Sequence, residues 1–432
     1  MNKNDTQFAK YSSFLFYLIP IFLIKFILFA DLFLILISLI FLYLSIKYKK
    51  YYYFDNIYFK IFLFFYLLIT IRSLFSDNIF LSLSSSLFYF RFGLFSLAII
   101  FFLDLNKKLV KILKILFIII LLIVFFDTIF QYFFKKNILG MQYKFYQENN
   151  FRLTSFFHNK GVLGSYIARF FPFIIALFFF EKKNKLKKID FFFIILATLI
   201  SITLVILSGE RTSLMLLFIA FLLILLFSNG TLKKIFGYLS VISIVIFFFI
   251  INVDLRIKKR FINLTLDQIG SGSQPDERLY IFSKIYEAHF KIAYKMFKEN
   301  PIFGKGVKMF RDFCSKPENF IIEGGCTTHP HHTYVQILAE TGLVGFAIIF
   351  FVFILVIVSL FKIFFINSFS KNKSSLIVSN YNNARICLLT AIFLTLCPLV
   401  PSGNFFNNWL SIIYFFPIGF LLYLNNINKF KK

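Results

Sequence analysis

The chain has 432 residues, 59% of them hydrophobic and only 16% charged, with a mean hydropathy of +0.80. A water-soluble domain has no means of hiding that much apolar surface, so the composition excludes a soluble globular protein and points to lipid as the solvent. The formal net charge of +27 is weak support for nucleic-acid binding, because the excess of Phe, Ile, Lys and Asn has the look of an AT-rich genome and the lysines cluster in short loops between apolar runs, as topology signals do.

Crossing the hydrocarbon core takes roughly 20 apolar residues in a helix, which satisfies its backbone hydrogen bonds internally. Runs of that kind predict spans over 12–29, 32–46, 59–74, 79–103, 110–134, 162–180, 191–207, 213–227, 235–253, 342–365, 386–400 and 409–424. The expected fold class is therefore all-α, a polytopic integral membrane protein of about twelve transmembrane helices. The first two runs are separated by Ala30 and Asp31, which predicts a tight hairpin there. No cleavable signal pattern precedes the first run, which is read as a retained helix. Residues 1–253 hold nine helices, 254–341 form one large loop, and 342–432 hold the last three.

Charge sets the orientation. Lys47, Lys49 and Lys50, then Lys107, Lys108 and Lys111, then Lys182, Lys183, Lys185, Lys187 and Lys188, then Lys233 and Lys234, then Lys371 and Lys373 fall on one face with both termini, and that face is assigned to the cytoplasm. The opposite face receives the tight turn at 208–212, a middle loop over 135–161 and the large loop. Cys387 and Cys397 lie in the eleventh predicted span as small apolar fillers. Cys314 and Cys326 lie in the large loop, on the side assigned to an oxidising compartment, where a disulfide between them is expected.

Within the large loop, 275–300 has the mixed three- and four-residue spacing of an amphipathic helix lying near the membrane surface, ended by Pro301, Gly304 and Gly306. The loop closes on His329, Pro330, His331, His332 and Thr333, holding three of the five histidines of the chain. Thr333 and Gln336 have the spacing of a capping box, so a helix is expected to begin at Thr333 with the histidines just outside its N-terminus. The positive end of the helix dipole would lower their pKa, and a neutral imidazole can accept a proton as a general base. One alternative is a polar interfacial cluster with no chemistry. Another is a metal site built from Cys326, His329, His331 and His332, but the spacing matches no familiar zinc pattern and Pro330 restricts the geometry, so no metal is expected.

Ser208, Gly209, Glu210, Arg211, Thr212 and Ser213 form a second constellation on the same face. Either Glu210 and Arg211 pair at the headgroups, or the Arg211 guanidinium, fixed by a short turn, binds a phosphate or pyrophosphate in bidentate fashion. Arg278, after the polar run 270–277, is a second anion-binding candidate. Arg91 and Arg169 lie inside spans, where an ionisable group is costly unless it faces a cavity, and Arg169 is nearer the non-cytoplasmic end. His158, Asn159 and Lys160 could line the same vestibule.

At His331 the sequence resembles the signature of the bacterial O-antigen ligase and O-antigen polymerase superfamily: a histidine, usually followed by Asn, Ser or Gln, with a glycine after nine more residues and a small or polar residue three beyond it. Gly342 and Gly345 stand at those places. Residues 208–213 resemble the family's arginine turn, and Asn300, Pro301, Gly304, Gly306 and Phe310 its loop segment. His332 departs from the pattern by replacing the amide or hydroxyl residue, which leaves open whether His331 or His332 is the base.

The resemblance implies a membrane glycosyltransferase that moves a glycan from undecaprenyl pyrophosphate to an acceptor hydroxyl, on lipid A core for a ligase. It implies His331 as base, Arg211 and Arg278 on the departing pyrophosphate, inversion at the anomeric carbon, and no cofactor. His329, His332 and Arg169 would support the site. It also implies the bacterial inner membrane, with the large loop periplasmic. A polymerase or a protein O-oligosaccharyltransferase of the same group is the alternative. From another class, a lipid-linked polysaccharide flippase or exporter would need charges along a path through the bundle, and these spans are nearly bare apart from Arg91 and Arg169.

Overall fold

A computed structural model describes residues 1–142, 151–157, 160–180, 185–271, 279–369 and 376–427. His158, Asn159 and Arg278 lie outside the described residues. Among those described the fold is all-helical and has no strand, only an isolated bridge between Lys136 and Gln142. Among the described residues nine helices are long and apolar enough to cross a membrane: Lys3–Lys25, Ile27–Lys47, Ile57–Leu74, Ile79–Leu105, Lys108–Phe134, Lys188–Leu207, Gly230–Val253, Thr333–Asn367 and Asn408–Asn426. Two apolar helices, Leu163–Phe179 and Arg211–Phe227, are shorter at 17 residues, and Leu376–Thr395 is a further, less apolar helix. Each of the predicted apolar runs falls on one of these helices.

Three boundaries differ from expectation, each for a local reason. The first hairpin turns at Phe26, whose φ of −118° and ψ of 69° leave the helical region, while Ala30 and Asp31 sit inside the next helix. Asp31 is tolerated there because Arg91 holds it with two hydrogen bonds, Nε to Oδ1 at 2.9 Å and Nη2 to Oδ2 at 3.0 Å. Arg91 thereby has a structural partner. The eleventh run shifts toward the N-terminus, to Leu376–Thr395, because its asparagines are paired: Asn383 Oδ1 accepts from the Asn229 amide and Asn382 donates to Asn367 Oδ1. That helix stops before Pro398, leaving Cys397 just beyond it, buried and free. The amphipathic helix of the large loop covers Lys284–Glu299, because Ser283 caps it by accepting from the Tyr286 amide (3.4 Å) and residues 279–282 are not helical, while 275–278 lie outside the described residues.

At the centre stands Leu163–Phe179, of which every residue except Ser165 is buried. It is about 25 Å long, short for a span. Lys108–Phe134, Lys188–Leu207, Arg211–Phe227 and Leu376–Thr395 surround it and stand between it and lipid.

The large loop is attached to the bundle by backbone. Thr333–Phe369 is interrupted at Gly342, whose φ of 66° and ψ of −167° are not helical. The segment from Pro301 to Gly306 enters the break: the amides of Leu343 and Val344 donate to the carbonyls of Pro301 (2.8 Å) and Ile302 (3.1 Å), and those of Lys305 and Gly306 to Ala339 (3.1 Å) and Glu340 (2.9 Å). Glycine is needed on both sides. A Cβ on Gly342 would collide with the Ile302 carbonyl, and one on Gly304, at φ of 69°, with the backbone of Glu340 and Thr341.

Gly342→Ala is therefore expected to lower stability by more than about 1 kcal/mol and the melting temperature in detergent visibly, whereas Gly237→Ala, with ordinary helical backbone and its nearest neighbour at 3.9 Å, should leave melting unchanged or raise it.

Candidate active site

The histidine segment is pinned from several directions. Thr327 Oγ1 donates to the His329 carbonyl (2.7 Å), the Ser402 amide donates to the His331 carbonyl (2.9 Å), and Thr333 Oγ1 donates to Ser402 Oγ (2.8 Å). A disulfide between Cys314 and Cys326, with Cα atoms 5.2 Å apart, ties the entry of the segment to the Met309–Cys314 helix. His331 has a left-handed φ of 55°, a conformation uncommon for a residue with a side chain and sustained only where its surroundings impose it.

The helix begins at Thr333, where the spacing puts it, but the capping box does not form. Thr333 turns to Ser402, and Gln336 is taken by other partners: its Oε1 accepts from the Phe405 amide (2.9 Å) and its Nε2 donates to Glu340 Oε2 and Asn404 Oδ1 (both 3.0 Å). His332 caps instead, its Nδ1 accepting from the Val335 amide at 3.4 Å. His332 Nε2 donates to the Pro398 carbonyl at 3.0 Å. A carbonyl can only accept, so Nε2 carries the proton and both nitrogens of His332 are committed.

His329 is also engaged, through Nδ1 and Thr328 Oγ1 at 2.9 Å. The His331 ring makes no hydrogen bond to the described residues and is partly exposed. It stands 4.1 Å from the ring of His329, 5.3 Å from that of His289 and 5.6 Å from that of Tyr286, between centroids. Burial pushes His331 down to about 4, and the neighbouring His289 adds to the effect. His329 is pushed down to about 3, again by burial first and then by His331. The lowering expected from the helix dipole is thus in the observed direction, with desolvation as its main cause.

Of the four proposed metal ligands, Cys326 is spent on the disulfide and His332 on Pro398 and Val335. No group of three or more His, Cys, Asp or Glu side chains among the described residues is arranged to hold a metal ion.

Of the two readings of the arginine turn, the pairing of Glu210 with Arg211 is not formed. The Glu210 carboxylate accepts from the amides of Gly164 (2.7 Å) and Ser165 (3.0 Å) and from Ser213 Oγ (2.8 Å), capping the central helix. Burial pushes its carboxyl up to about 7, opposed by Ser213, these amides and the charge of Arg152. Arg211 Nη1 donates to Thr265 Oγ1 (3.0 Å) and the Leu264 carbonyl (3.4 Å), and Nη2 to Gln268 Oε1, which fixes the guanidinium against the Leu264–Gln268 helix.

Two further arginines converge here. Arg260 is buried, with Nε donating to the Gly209 carbonyl at 3.0 Å, and burial together with Arg152 and Arg211 pushes it down to about 9. Gly209, at φ of 64°, lets the chain pass: a Cβ there would strike the Phe151 carbonyl and lie 3.5 Å from the side chains of both Arg152 and Arg260. Arg152 Nε is buried without a hydrogen-bond partner. These guanidinium groups, with Glu210 as the acidic group beside Arg152 and Arg260 and with one orphaned donor on Arg152, form a basic cluster whose chemistry can accommodate an anion. Arg169, by contrast, lies inside the bundle, bonded to Ser165 Oγ on its own helix, and does not reach the histidines.

Tyr286 joins the two groups. It is within electrostatic range of Arg211 and Arg260 while its ring contacts that of His331. Tyr286, His289, Arg152 and Arg260 were not singled out from sequence. His289 left a trace, a histidine in phase with Ala288, Ile292, Ala293 and Met296 on the buried face of its helix. Arg260 was hidden in the basic run Lys258, Lys259, Arg260, whose phase depends on a π-turn over Lys259–Asn263. Arg152 sits in the middle loop with no pattern to mark it.

Residues 196–350 match the O-antigen ligase family, a stretch that includes the arginine turn, Arg260, His289 and the histidine segment. No curated protein gives a match to the chain. The match supports the O-antigen ligase and O-antigen polymerase superfamily for this segment, about a third of the chain, and the all-helical fold with its apolar, membrane-type helices agrees with it.

Proposed function

We propose that the protein is an O-antigen ligase-like transferase that moves a glycan from undecaprenyl pyrophosphate to an acceptor hydroxyl, on lipid A core, at the periplasmic face of the bacterial inner membrane, with both chain termini cytoplasmic. The observation that carries this reading is the pairing of a neutral, unengaged imidazole at His331 with a cluster of arginines across Tyr286. The acceptor O–H gives its proton to His331. Its oxygen forms a bond to the anomeric carbon from the face opposite the phosphate, the bond from that carbon to the phosphate oxygen breaks, and the pyrophosphate departs with the electron pair. That displacement inverts the anomeric centre. The charge growing on the leaving group is met by Arg211, Arg260 and Arg152, with Arg278 assigned to the same role from sequence. Neither cofactor nor metal takes part. His329 and the disulfide hold the segment, His332 caps the helix, and Arg169, within electrostatic range of Glu210, supports the arginine turn.

An apolar cavity, lined by Phe62, Tyr89, Val352, Leu396 and Tyr414 among others, lies between the helices and also borders Phe405, whose amide holds Gln336. Such a lining suits the prenyl chain of a lipid-linked donor.

Transfer from a defined undecaprenyl pyrophosphate glycan in proteoliposomes tests the assignment. His331→Ala should reduce turnover by at least about 100-fold with melting nearly unchanged, whereas His332→Ala should chiefly lower the melting temperature. The converse pattern would move the base to His332. Deleting the gene should leave long lipid-linked chains unattached, and an accumulation of single repeat units would instead favour a polymerase.

Arg211→Lys keeps the charge and loses the planar fork, and is expected to reduce kcat/KM for the donor roughly tenfold or more. Equal activity in the lysine variant would remove Arg211 from the anion site.

The pH dependence has a defined sign. A histidine depressed from 6.5 to about 4 stays neutral in the folded enzyme across the window where the unfolded chain takes up protons. Activity should therefore persist below pH 6.5 with its acid limb near 4, while stability declines as pH falls through that window. An acid limb at 6.5 or above contradicts the assignment.

A further inference from the structure

His289 lies on the Lys284–Glu299 helix, 1% exposed, and the O-antigen ligase match assigns it no role. Its Nε2 is 3.1 Å from the carbonyl oxygen of Gly324. Since that oxygen can only accept, Nε2 carries the ring proton, and in the neutral ring Nδ1 is then a bare lone pair. This Nδ1 is buried and has no hydrogen-bond partner. A buried acceptor left unsatisfied is costly, and native proteins retain one where function uses it.

Of the two rings that lie against His289, Tyr286 at 5.8 Å and His331 at 5.3 Å between centroids, His331 is the nearer and makes no other hydrogen bond to the described residues. The His289 and His331 rings meet at an interplanar angle of 34°. An N–H···N hydrogen bond between imidazoles requires a centroid separation of about 5 Å, the sum of an ordinary donor–acceptor distance and the two ring radii. The separation is too large for stacking and right for that bond. The His331 ring is unengaged and can turn to make it, and catalytic hydrogen bonds commonly tighten only when substrate is bound. Tyr286 on the same helix, His329 on the histidine segment and Arg311 on the Met309–Cys314 helix are the other titratable groups around the cluster. None of them is a carboxylate.

We propose that His289 is the positioning residue for the base: its Nδ1 accepts a hydrogen bond from one nitrogen of His331, which leaves the other nitrogen unprotonated and facing the acceptor hydroxyl. When His331 takes the hydroxyl proton it becomes an imidazolium with two N–H groups. One of them remains bonded to His289, whose dipole stabilises the new charge. No proton passes to His289. The Gly324 carbonyl sets the tautomer of His289, and His289 sets that of His331, so a backbone carbonyl does here what a carboxylate does elsewhere. This inference rests on His331 being the base.

Two substitutions separate positioning from packing. In His289→Gln the longer side chain reaches Gly324 with its amide N–H and puts no acceptor in the place of Nδ1. In His289→Asn the amide oxygen takes that place and the bond to Gly324 is lost. Both would be assayed in proteoliposomes beside the wild type and His331→Ala, with melting temperatures measured on the same preparations. The Gln variant should lose roughly 10- to 100-fold in kcat with KM for the lipid-linked donor unchanged, and the Asn variant should recover most of that loss. Wild-type kcat in the Gln variant, or equal losses in both that follow their melting temperatures, overturns the role of His289 while His331 keeps its own. Full activity in His331→Ala, or no glycosidic bond formed by the wild type, overturns both assignments together.

Discussion

The backbone exchange at Gly342 is the constraint on which the site depends. A helix broken near the membrane leaves amides and carbonyls that neither lipid nor the helix itself can satisfy. Here the break is filled by another stretch of the same chain: four backbone hydrogen bonds join Pro301, Ile302, Lys305 and Gly306 to the residues on either side of Gly342. Because Pro301 follows the Lys284–Glu299 helix after the single capping residue Asn300, the contact also fixes where that helix lies. His289 and Tyr286 project from it toward His331, which sits two residues before the start of the broken helix. One backbone junction thus sets both sides of the histidine cluster.

A second anchor works on the arginines. Glu210 caps the buried central helix through the amides of Gly164 and Ser165, so the turn that carries Arg211 is fastened to the most shielded element in the bundle. The adjoining Gly209 admits Phe151 and the side chains of Arg152 and Arg260 at close range. Three guanidinium groups brought together repel one another, and that repulsion with burial is what depresses Arg260. Such an arrangement is held by packing and by hydrogen bonds to Gly209, Leu264, Thr265 and Gln268. The opposite strategy appears at Arg91, which is paired with Asp31 and joins two helices.

The histidine segment separates three residues of one type by their hydrogen bonds. His332 has both nitrogens occupied, His329 one, and His331 none. His331 alone combines an unused ring with partial exposure, and its left-handed backbone is kept in place by the Ser402 amide on one side and the start of the Thr333 helix on the other. Pinning by residues 396–407 ties the end of the large loop to the last two helices, through Tyr334 and Leu396 as well as Gln336 and Phe405.

Sequence alone determined the solvent, the all-helical class, the approximate position of every apolar helix and the start of the helix at Thr333, because runs of apolar residues and local capping chemistry are properties of neighbours along the chain. It also marked His331, Arg211 and the glycines at 304, 306 and 342. Tertiary structure decided what lies far apart in sequence: that Asp31 belongs inside a helix because Arg91 reaches it, that the asparagines of Leu376–Thr395 are tolerated because Asn229 and Asn367 pair with them, and that Glu210 caps a helix in place of pairing with its neighbour. The same reason hid Arg152, Arg260, Tyr286 and His289. Each is an ordinary residue in its local context, and its meaning comes from a partner between about 40 and 110 positions away, brought near only when the loop and the bundle close on each other.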